Sequence, residues 1–202
     1  MLLSSYMYRF ILLTFFISLS ACQKSDNHNQ DNKSVSLKNA ELVISEAGVG
    51  PINAQTPFNI HDITQAFQKY DYHVEELKTT TEGESYPVIR VSTDTHVLLL
   101  INPDTKQQKI FSVIVKDKHV GNSLGHWLGM KYGSIYSYGR TEQCTPGSEG
   151  LSGKVLCYAP KSANVIYMFG DKEENNFPDG ELPPIDALSE WDLEAIIWKP
   201  KR

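Results

Sequence analysis

The sequence lacks any apolar run long enough to cross a membrane as a helix. Its longest mainly apolar stretch, Phe10 to Leu19, is far shorter than the roughly 20 residues that a spanning helix needs. The segment before it carries Arg9 as its only charged side chain. A short apolar run behind a basic residue at the amino terminus is typical of an export signal. We therefore predict a signal peptide over residues 1–21.

The sequence also lacks the motifs of the common catalytic and metal sites. It contains no H-E-x-x-H pair and no G-x-S-x-G elbow, and no G-K-[ST] follows its glycines as a phosphate loop requires. The acidic run Asp171–Glu174 lacks the spacing of a calcium loop. The histidines beyond the amino-terminal segment are scattered: His61, His73, His96, His119 and His126. The sequence therefore predicts no catalytic residue, no metal ligand and no cofactor, and hence a protein that is not an enzyme.

An excess of basic residues is missing as well. The chain has 19 Lys and Arg against 24 Asp and Glu, a formal net charge of −5, and removal of the leader takes away only Arg9. Nucleic-acid-binding domains carry clustered positive charge. The composition therefore argues against nucleic acid as a partner, and against electrostatic docking on anionic lipid.

Cysteine is scarce, and the first of the three cysteines stands in an informative place. Cys22 directly follows Leu19-Ser20-Ala21 at the end of the apolar run, the pattern of bacterial lipoprotein processing. In that pathway the Cys22 thiol is diacylated, the chain is cut before it, and the new amino terminus is acylated. Two or more acyl chains hold a protein stably on a membrane. The alternative is a cysteine that merely follows a signal peptide or a short anchor helix.

The residue after Cys22 bears on which membrane carries the protein. Under the sorting rules of Gram-negative bacteria, Asp at this position favours the inner membrane, and the chain has Gln23 instead. We therefore expect lipid anchoring at the periplasmic face of the outer membrane. The polar segment that follows, Gln23 to Lys38, has little to bury and predicts a tether over residues 22–40 of roughly 20–25 Å. Residues 41–202 have the composition of a single globular periplasmic domain.

The two remaining cysteines, Cys144 and Cys157, form an even pair in a compartment that we expect to be oxidising. The stretch between them is rich in Gly, Ser and Pro, as loops are. A disulfide closing this loop is the favoured interpretation. Metal binding by the two cysteines is the weaker alternative, because two thiols with no nearby His do not make a four-ligand zinc site.

Hydrophobic spacing predicts an α+β fold, mainly antiparallel sheet with two or three short helices. Asn59 is the expected N-cap of a helix over 60–70, and short helices are expected near 133–137 and 185–190. Six strands are predicted at His73–Lys78, Pro87–Val91, His96–Ile101, Ile110–Val115, Val155–Tyr158 and Val165–Phe169, and a seventh at Glu194–Trp198. The strand at His96–Ile101 is apolar on both faces and should be covered on both. The order is helix then meander, twice, and an old duplication is one explanation of it.

Two further patterns are open to a structural explanation. Glycines recur every fourth residue from Gly121 to Gly133, and turns explain them better than a helix, where each glycine is costly. Trp191 and Trp198 flank the final strand and are expected to be core anchors. His126 beside Trp127 could line a pocket, although partial burial in packing is the commoner role of such a pair.

Several short sequence segments, taken together, resemble those of a known family. They are Ile44 to Pro51, Thr56-Pro57-Phe58, Gly129 to Tyr136, the Cys144–Cys157 pair and Trp191 to Trp198, all set behind the Cys22 motif. In this order they resemble the RpoE-regulated lipoproteins of the sigma-E envelope-stress response, the YfeY-like proteins. The resemblance implies a domain of unknown function associated with the outer membrane, and it supplies no catalytic residues. It supports lipid on Cys22 and a disulfide between Cys144 and Cys157.

Three functional hypotheses follow from these observations. The first is a non-enzymatic module held on the outer membrane by its amino-terminal lipid, with an envelope protein or other envelope component as its partner. The second is an unrecognised periplasmic hydrolase that uses His126, His61 or nearby acids. The third is a carrier of lipid or another apolar ligand, which requires an apolar cavity of several hundred Å³.

Overall fold

The computed structural model describes residues 40–81, 83–136, 143–171, 177–178 and 180–201. The predicted signal peptide, Cys22 and the predicted tether lie outside these residues, apart from residue 40. Within the described residues, no helix combines the length and the apolar character needed to cross a membrane.

The described elements are mostly short strands. In chain order they are β1 (Val43–Ser45), β2 (Gly48–Val49), β3 (Ile52–Asn53), α1 (Ile60–Phe67), β4 (His73–Thr81), β5 (Glu84–Ser92), β6 (Val97–Pro103), β7 (Ile110–Val115), β8 (Gly121–Asn122), α2 (Tyr132–Ile135), β9 (Cys144–Pro146), β10 (Lys154–Tyr158), β11 (Val165–Gly170), α3 (Ile185–Leu188) and β12 (Asp192–Trp198). This is the predicted combination of antiparallel sheet with short helices.

The strands form two sheets. The larger sheet has eight strands in the order β4-β5-β6-β7-β12-β11-β10-β9, and every neighbouring pair in it is antiparallel. The smaller sheet has the order β3-β2-β1-β8, with β1 and β8 parallel. The carbonyl of Glu46 fastens the turn between β1 and β2 to the larger sheet, since it accepts hydrogen bonds from Asn164 Nδ2 at 2.8 Å and Trp198 Nε1 at 3.1 Å.

The larger sheet consists of two meanders of four consecutive strands, β4 to β7 and β9 to β12. They meet where β7 pairs with β12, with Ile197 opposite Ile114. In each meander the strands follow chain order from the outer edge of the sheet inward. The last strand of each meander, β7 or β12, therefore lies at the junction between the two. This order is compatible with two helix-then-meander units, while descent from a duplication stays a prediction.

Helix α1 forms where the apolar spacing predicts it, but it is shorter than expected. Asn59 has an extended backbone, and its side chain accepts the amide hydrogen of Asp62 at 2.8 Å, which makes it the N-cap. Ile63 and Phe67 are buried. The helix ends at Phe67, and the chain then tightens into a turn in which Tyr70 N donates to Phe67 O at 2.9 Å.

The buried core confirms two predictions about packing. Leu98 and Leu99 point to opposite faces of β6 and are 3% and 0% exposed, so this strand is covered on both sides. Trp191 and Trp198 are buried as well. The recurring glycines do not share one helix, and Gly125 and Gly129 have positive φ values of 83° and 90° in a turn-rich segment.

Candidate functional site

A groove of about 500 Å³ lies where the described domain begins, and we call it the entry groove. Its walls come from the segment before β1, the segment between α1 and β4, the turn from β5 into β6, and the loop between β7 and β8. The lining residues are Glu41, Leu42, Tyr72, Thr93, Thr95, His96, Leu98 and His119. Four separate parts of the chain thus bring apolar, hydroxyl, imidazole and carboxylate groups to one place.

A tyrosine and a carboxylate form one wall of the entry groove. Tyr72 Oη donates a hydrogen bond to Glu41 Oε2 at 2.7 Å. Burial of the phenol, together with this hydrogen bond and the nearby carboxylate charge, raises the pKa of Tyr72 well above its ordinary value. The ring of Tyr72 stacks on Tyr70 at 5.3 Å and meets Phe67 edge-on at 6.3 Å. The Tyr72 hydroxyl therefore keeps its proton and has a fixed position at neutral pH.

Two histidines on a shared aspartate form the opposite wall. His96 Nδ1 lies 3.3 Å from Asp117 Oδ2, and His119 Nδ1 contacts Asp117 Oδ1. The two rings are 5.5 Å apart between centroids. The Asp117 side chain is only 12% exposed, whereas the two histidines are about half exposed, at 51% and 56%. A largely buried carboxylate therefore orients two imidazoles that remain open to solvent.

Local turns explain why these side chains converge. Asp117 Oδ1 accepts the backbone amide of His119 at 2.8 Å, which closes the turn after β7. On the facing turn, Thr93 N donates to His96 O at 2.9 Å, and His96 N donates to Thr93 Oγ1 at 3.1 Å. Asx and hydroxyl turns of this kind stabilise short loops. Each histidine is thus held by its own backbone as well as by Asp117.

The geometry determines what the imidazoles can offer a ligand. Since both Nδ1 atoms face the same carboxylate, each ring directs its Nδ1–H to Asp117 and leaves Nε2 open to a ligand. Thr93 and Thr95 add hydroxyl groups, and Leu42 and Leu98 add apolar surface. The groove is therefore suited to a polar ligand that forms hydrogen bonds and has one apolar face. Within the described part of the chain, no group of three or more His, Cys, Asp and Glu side chains could hold a metal ion.

A second polar cluster lies in the core, between the small-sheet loop and β11. Asn122 Nδ2 donates to Tyr167 Oη at 3.0 Å, and Asn122 Oδ1 accepts the amide of Leu124 at 2.9 Å. His126 Nδ1 lies 2.8 Å from the same phenol oxygen. Because the phenol oxygen already accepts from the Asn122 amide, its O–H donates a hydrogen bond to His126 Nδ1, an arrangement that requires a neutral imidazole with an unprotonated Nδ1.

The pKa shifts in this cluster agree with that assignment. Burial lowers the pKa of His126, and burial also raises the pKa of Tyr167 to about 12, against an opposing hydrogen bond from Asn122. Both groups are therefore neutral at pH 7. The role expected for His126 as a partly buried packing residue fits this position, and neither His126 nor His61 lines the entry groove.

Other residues singled out from the sequence lie elsewhere. Cys144 and Cys157 face each other across β9 and β10 and are joined by a disulfide, with the Cα atoms 4.0 Å apart. His73 lies 2.7 Å from Asp94 in an exposed pair. Residues 172–174 of the acidic run are outside the described residues.

Sequence reasoning missed the entry groove. The sequence predicts His96 as the first residue of a strand, whereas His96 stands in the turn before β6, and it gives His119 no role. The one local signal was the Asp-x-His spacing of Asp117 and His119, since an aspartate often binds backbone two residues onward. Nothing in the sequence indicated that His96 and Glu41 would join them.

The fold and the groove define a class of α+β domains with a long antiparallel sheet and a polar groove at the amino-terminal edge. Residues 21–200 match the family described as "Protein of unknown function (DUF1131)", and the chain belongs to this family. The chain is similar to the "Uncharacterized protein YfeY" of Escherichia coli (strain K12), with 28% identity over 158 residues, 77% of this chain and 78% of that protein. It is also similar to the crystal structure of the uncharacterized protein yfeY from Escherichia coli, with a TM-score of 0.64 and 26% identity over 77% of this chain and 98% of that chain. The predicted resemblance to YfeY-like proteins of unknown function is confirmed, while regulation by sigma-E stays a prediction.

Proposed function

We propose that this protein is a lipoprotein of the cell envelope, anchored by lipid on Cys22 to the periplasmic face of the outer membrane. It works there as a non-enzymatic module that binds an envelope component in the entry groove. By its family resemblance, it serves during envelope stress. The observation that carries the binding role is the convergence of Glu41, Tyr72, His96 and His119 on one groove of about 500 Å³.

Two observations support the anchor. The motif Leu19-Ser20-Ala21-Cys22 ends the apolar leader, and the family match begins at residue 21, directly before Cys22. Only a short polar segment separates Cys22 from Glu41, a groove residue. A flexible chain of that length has a typical end-to-end distance of roughly 20–25 Å.

The composition of the groove supports binding of a polar envelope component. The Glu41 carboxylate accepts hydrogen bonds, His96 and His119 offer their Nε2 atoms, and Leu98 supplies an apolar contact. Such a mixture of a few fixed polar groups and apolar surface is common in ligand sites.

Replacement of the anchor cysteine tests localisation. We expect Cys22→Ser to abolish labelling by radioactive palmitate, to release the folded domain into the soluble periplasm, and to prevent complementation of a deletion strain. Gln23→Asp is the matched control, because it should keep the lipid and move the protein to the inner membrane. A Cys22→Ser protein that stays in the outer-membrane fraction, or complements fully, contradicts the proposal.

Photocrosslinking in cells tests the groove. A crosslinking amino acid at Thr95, on the exposed rim, should capture a discrete partner, and the His96→Gln/His119→Gln double variant should reduce that capture. The control places the same probe at His61, an exposed residue of α1 that does not line the groove. Equal capture from both positions, or capture unaffected by the histidine substitutions, contradicts a binding role for the groove.

An acid–base enzyme is the second candidate, and the orientation of two imidazoles by Asp117 favours it. Here the groove residues, rather than His126 and His61, would carry the reaction. Incubation of the purified protein with isolated cell-wall and lipid fractions, followed by mass spectrometry, separates the two candidates. A new product that disappears with His96→Gln/His119→Gln would establish the enzyme.

A further inference from the structure

Strand β4 forms an outer edge of the large sheet, and within the described residues it pairs with β5 alone. The pairing extends over all nine residues of β4, from His73 opposite Ser92 to Thr81 opposite Glu84, without a register shift. Edge strands are commonly protected by a proline, a bulge, short length or charged side chains. β4 is nine residues long without a proline or a bulge, and its charged residues Glu75, Glu76 and Lys78 include both signs, so its edge can accept a strand whose charges complement its own.

The proline on the neighbouring strand shows which backbone groups of β4 point outward. Lys78 lies opposite Pro87, which has no N–H. Directly opposed residues in antiparallel sheet alternate between hydrogen-bonded and non-hydrogen-bonded pairs. Thr81 pairs with Glu84, and two residues separate them in the sequence; the closing pair of a two-residue hairpin connection is hydrogen-bonded. Both features place Lys78 in a non-hydrogen-bonded pair.

The outward backbone groups of β4 are therefore those of Val74, Glu76, Lys78 and Thr80. The side chains of the last three are exposed. A strand that adds to this edge must form its hydrogen-bonded pairs with these residues.

The charges along the edge favour one self-pairing register. If two β4 strands meet antiparallel about an axis at Leu77, Glu76 of each copy lies opposite Lys78 of the other. A shift of the axis to residue 76 places two glutamates opposite each other, and a shift to residue 78 places two lysines opposite each other. Opposite charges across a strand pair stabilise it, and like charges destabilise it.

We propose that two copies of this protein associate through their β4 strands, antiparallel about a two-fold axis at Leu77. The eight-stranded sheets become continuous across the axis, and all four outward residues of each β4 enter hydrogen-bonded pairs. Charge complementarity between Glu76 and Lys78 sets the register. The association is independent of the lipid anchor and of any ligand in the entry groove.

Cysteine crosslinking of the purified full chain in detergent tests the register. At the axis the two Leu77 residues form a non-hydrogen-bonded pair with Cα atoms about 4.5 Å apart, within disulfide range. Copper-phenanthroline should therefore convert Leu77→Cys into a covalent dimer. Thr79→Cys is the matched control, because its two copies lie about 13 Å apart along the strands and should not crosslink. Absence of the Leu77→Cys dimer, or equal yields from both variants, overturns the proposal.

Charge reversal tests the pairing energy. In the Leu77→Cys background, E76K or K78E alone should lower the dimer yield at limiting concentration about tenfold, since each creates two like-charged pairs per dimer. The E76K/K78E double variant restores opposite charges and should restore the yield. An equal mixture of the two single variants should also crosslink, as a heterodimer. Failure of both restorations overturns the Glu76–Lys78 pairing.

Amide hydrogen exchange tests the unmodified chain. The amides of Glu76, Lys78 and Thr80 should gain protection as protein concentration rises, because they bond only across the dimer interface. The amides of Leu77 and Thr79 already bond to β5 and should change little. Exchange that is independent of concentration at Glu76, Lys78 and Thr80, from micromolar to millimolar protein, overturns the proposal.

Discussion

The phenol oxygen of Tyr167 lies 2.8 Å from Nδ1 of His126, in a cluster where the phenol also accepts a hydrogen bond from Asn122. Tyr167 is fully buried on β11. The contact joins the loop before α2 to the centre of the large sheet. It thereby fixes that loop with hydrogen bonds, in addition to apolar packing.

Removal of this hydroxyl should destabilise the protein. Tyr167→Phe leaves the buried Asn122 Nδ2 without its acceptor, and an unsatisfied buried donor costs about 1–3 kcal/mol. We expect a loss of that size in the unfolding free energy from urea titration. Tyr158→Phe is the control, because Tyr158 is 47% exposed and should change stability by less than about 0.5 kcal/mol. Equal losses from the two variants would contradict this account.

The same cluster predicts a pH dependence of stability. Burial lowers the pKa of His126 from its usual 6.5, so the unfolded chain takes up this proton at a higher pH than the folded protein does. The contribution of His126 to the free energy of unfolding is therefore present above pH 6.5, and it is lost as the pH falls through the lower pKa of the folded protein. We expect the unfolding free energy to fall more steeply below pH 6.5 for the wild type than for His126→Gln.

The pKa of His73 is shifted in the opposite direction, so it predicts the opposite pH dependence of stability. Its hydrogen bond to Asp94 and the charge of that carboxylate raise its pKa, so its contribution is present below pH 6.5 and is lost as the pH rises through the folded pKa. The difference in unfolding free energy between the wild type and His73→Gln should therefore grow toward low pH. The difference in unfolding free energy between the wild type and His126→Gln should shrink over the same range. Urea titrations at several pH values distinguish the two trends.

The disulfide should contribute substantially to stability. Cys144 and Cys157 are separated by 13 positions, and closing a loop of that length restricts the unfolded chain by about 3 kcal/mol in the loop-entropy model. We expect the Cys144→Ala/Cys157→Ala double variant to lose about 2–5 kcal/mol of unfolding free energy. Reduction of the wild type under native conditions should produce a similar loss. A loss below about 1 kcal/mol in both experiments would show that the bond constrains little.

The N-cap of α1 can be tested in isolation because it is exposed. Asn59→Ala removes the acceptor for the Asp62 amide and should cost about 1 kcal/mol in thermal or urea unfolding. Asn59→Ser keeps an acceptor at the N-cap without placing a second carboxylate beside Asp62, whose Oδ2 accepts from Asn59 Nδ2 at 2.6 Å, and it should restore most of that loss. If the two substitutions are equally destabilising, the capping bond is not the cause.

The sequence predicted the parts of the fold whose signal is local. The apolar spacing after Asn59 predicted α1, and the strand expected at Ile110–Val115 has the observed limits. The strands β1, β2, β3, β8 and β9 were missed, since each has only two or three residues and cannot show a period. Their pairing depends on distant partners, as when Val43 of β1 lies opposite Gly121 of β8.

The entry groove was unpredictable for the same reason. Glu41, Tyr72, His96 and His119 are far apart in the chain, and only His119, two residues after Asp117, belongs to a pattern of fixed spacing. Their convergence requires the meander of β4 to β7 and the short sheet around β1 to form together. The leader stays a prediction, and the sequence alone can state it because its signal, an apolar run that ends before Cys22, lies in consecutive residues.

The carboxy-terminal strand β12 occupies the middle of the large sheet, between β7 and β11. A chain made from its amino terminus onward therefore has both of these strands as open edges until β12 has been synthesised. Incomplete sheet edges are prone to aggregation, and cells cover such surfaces with chaperones. The sheet is accordingly completed only once β12 is available, and a chain that lacks β12 has two half-sheets without the strand that joins them.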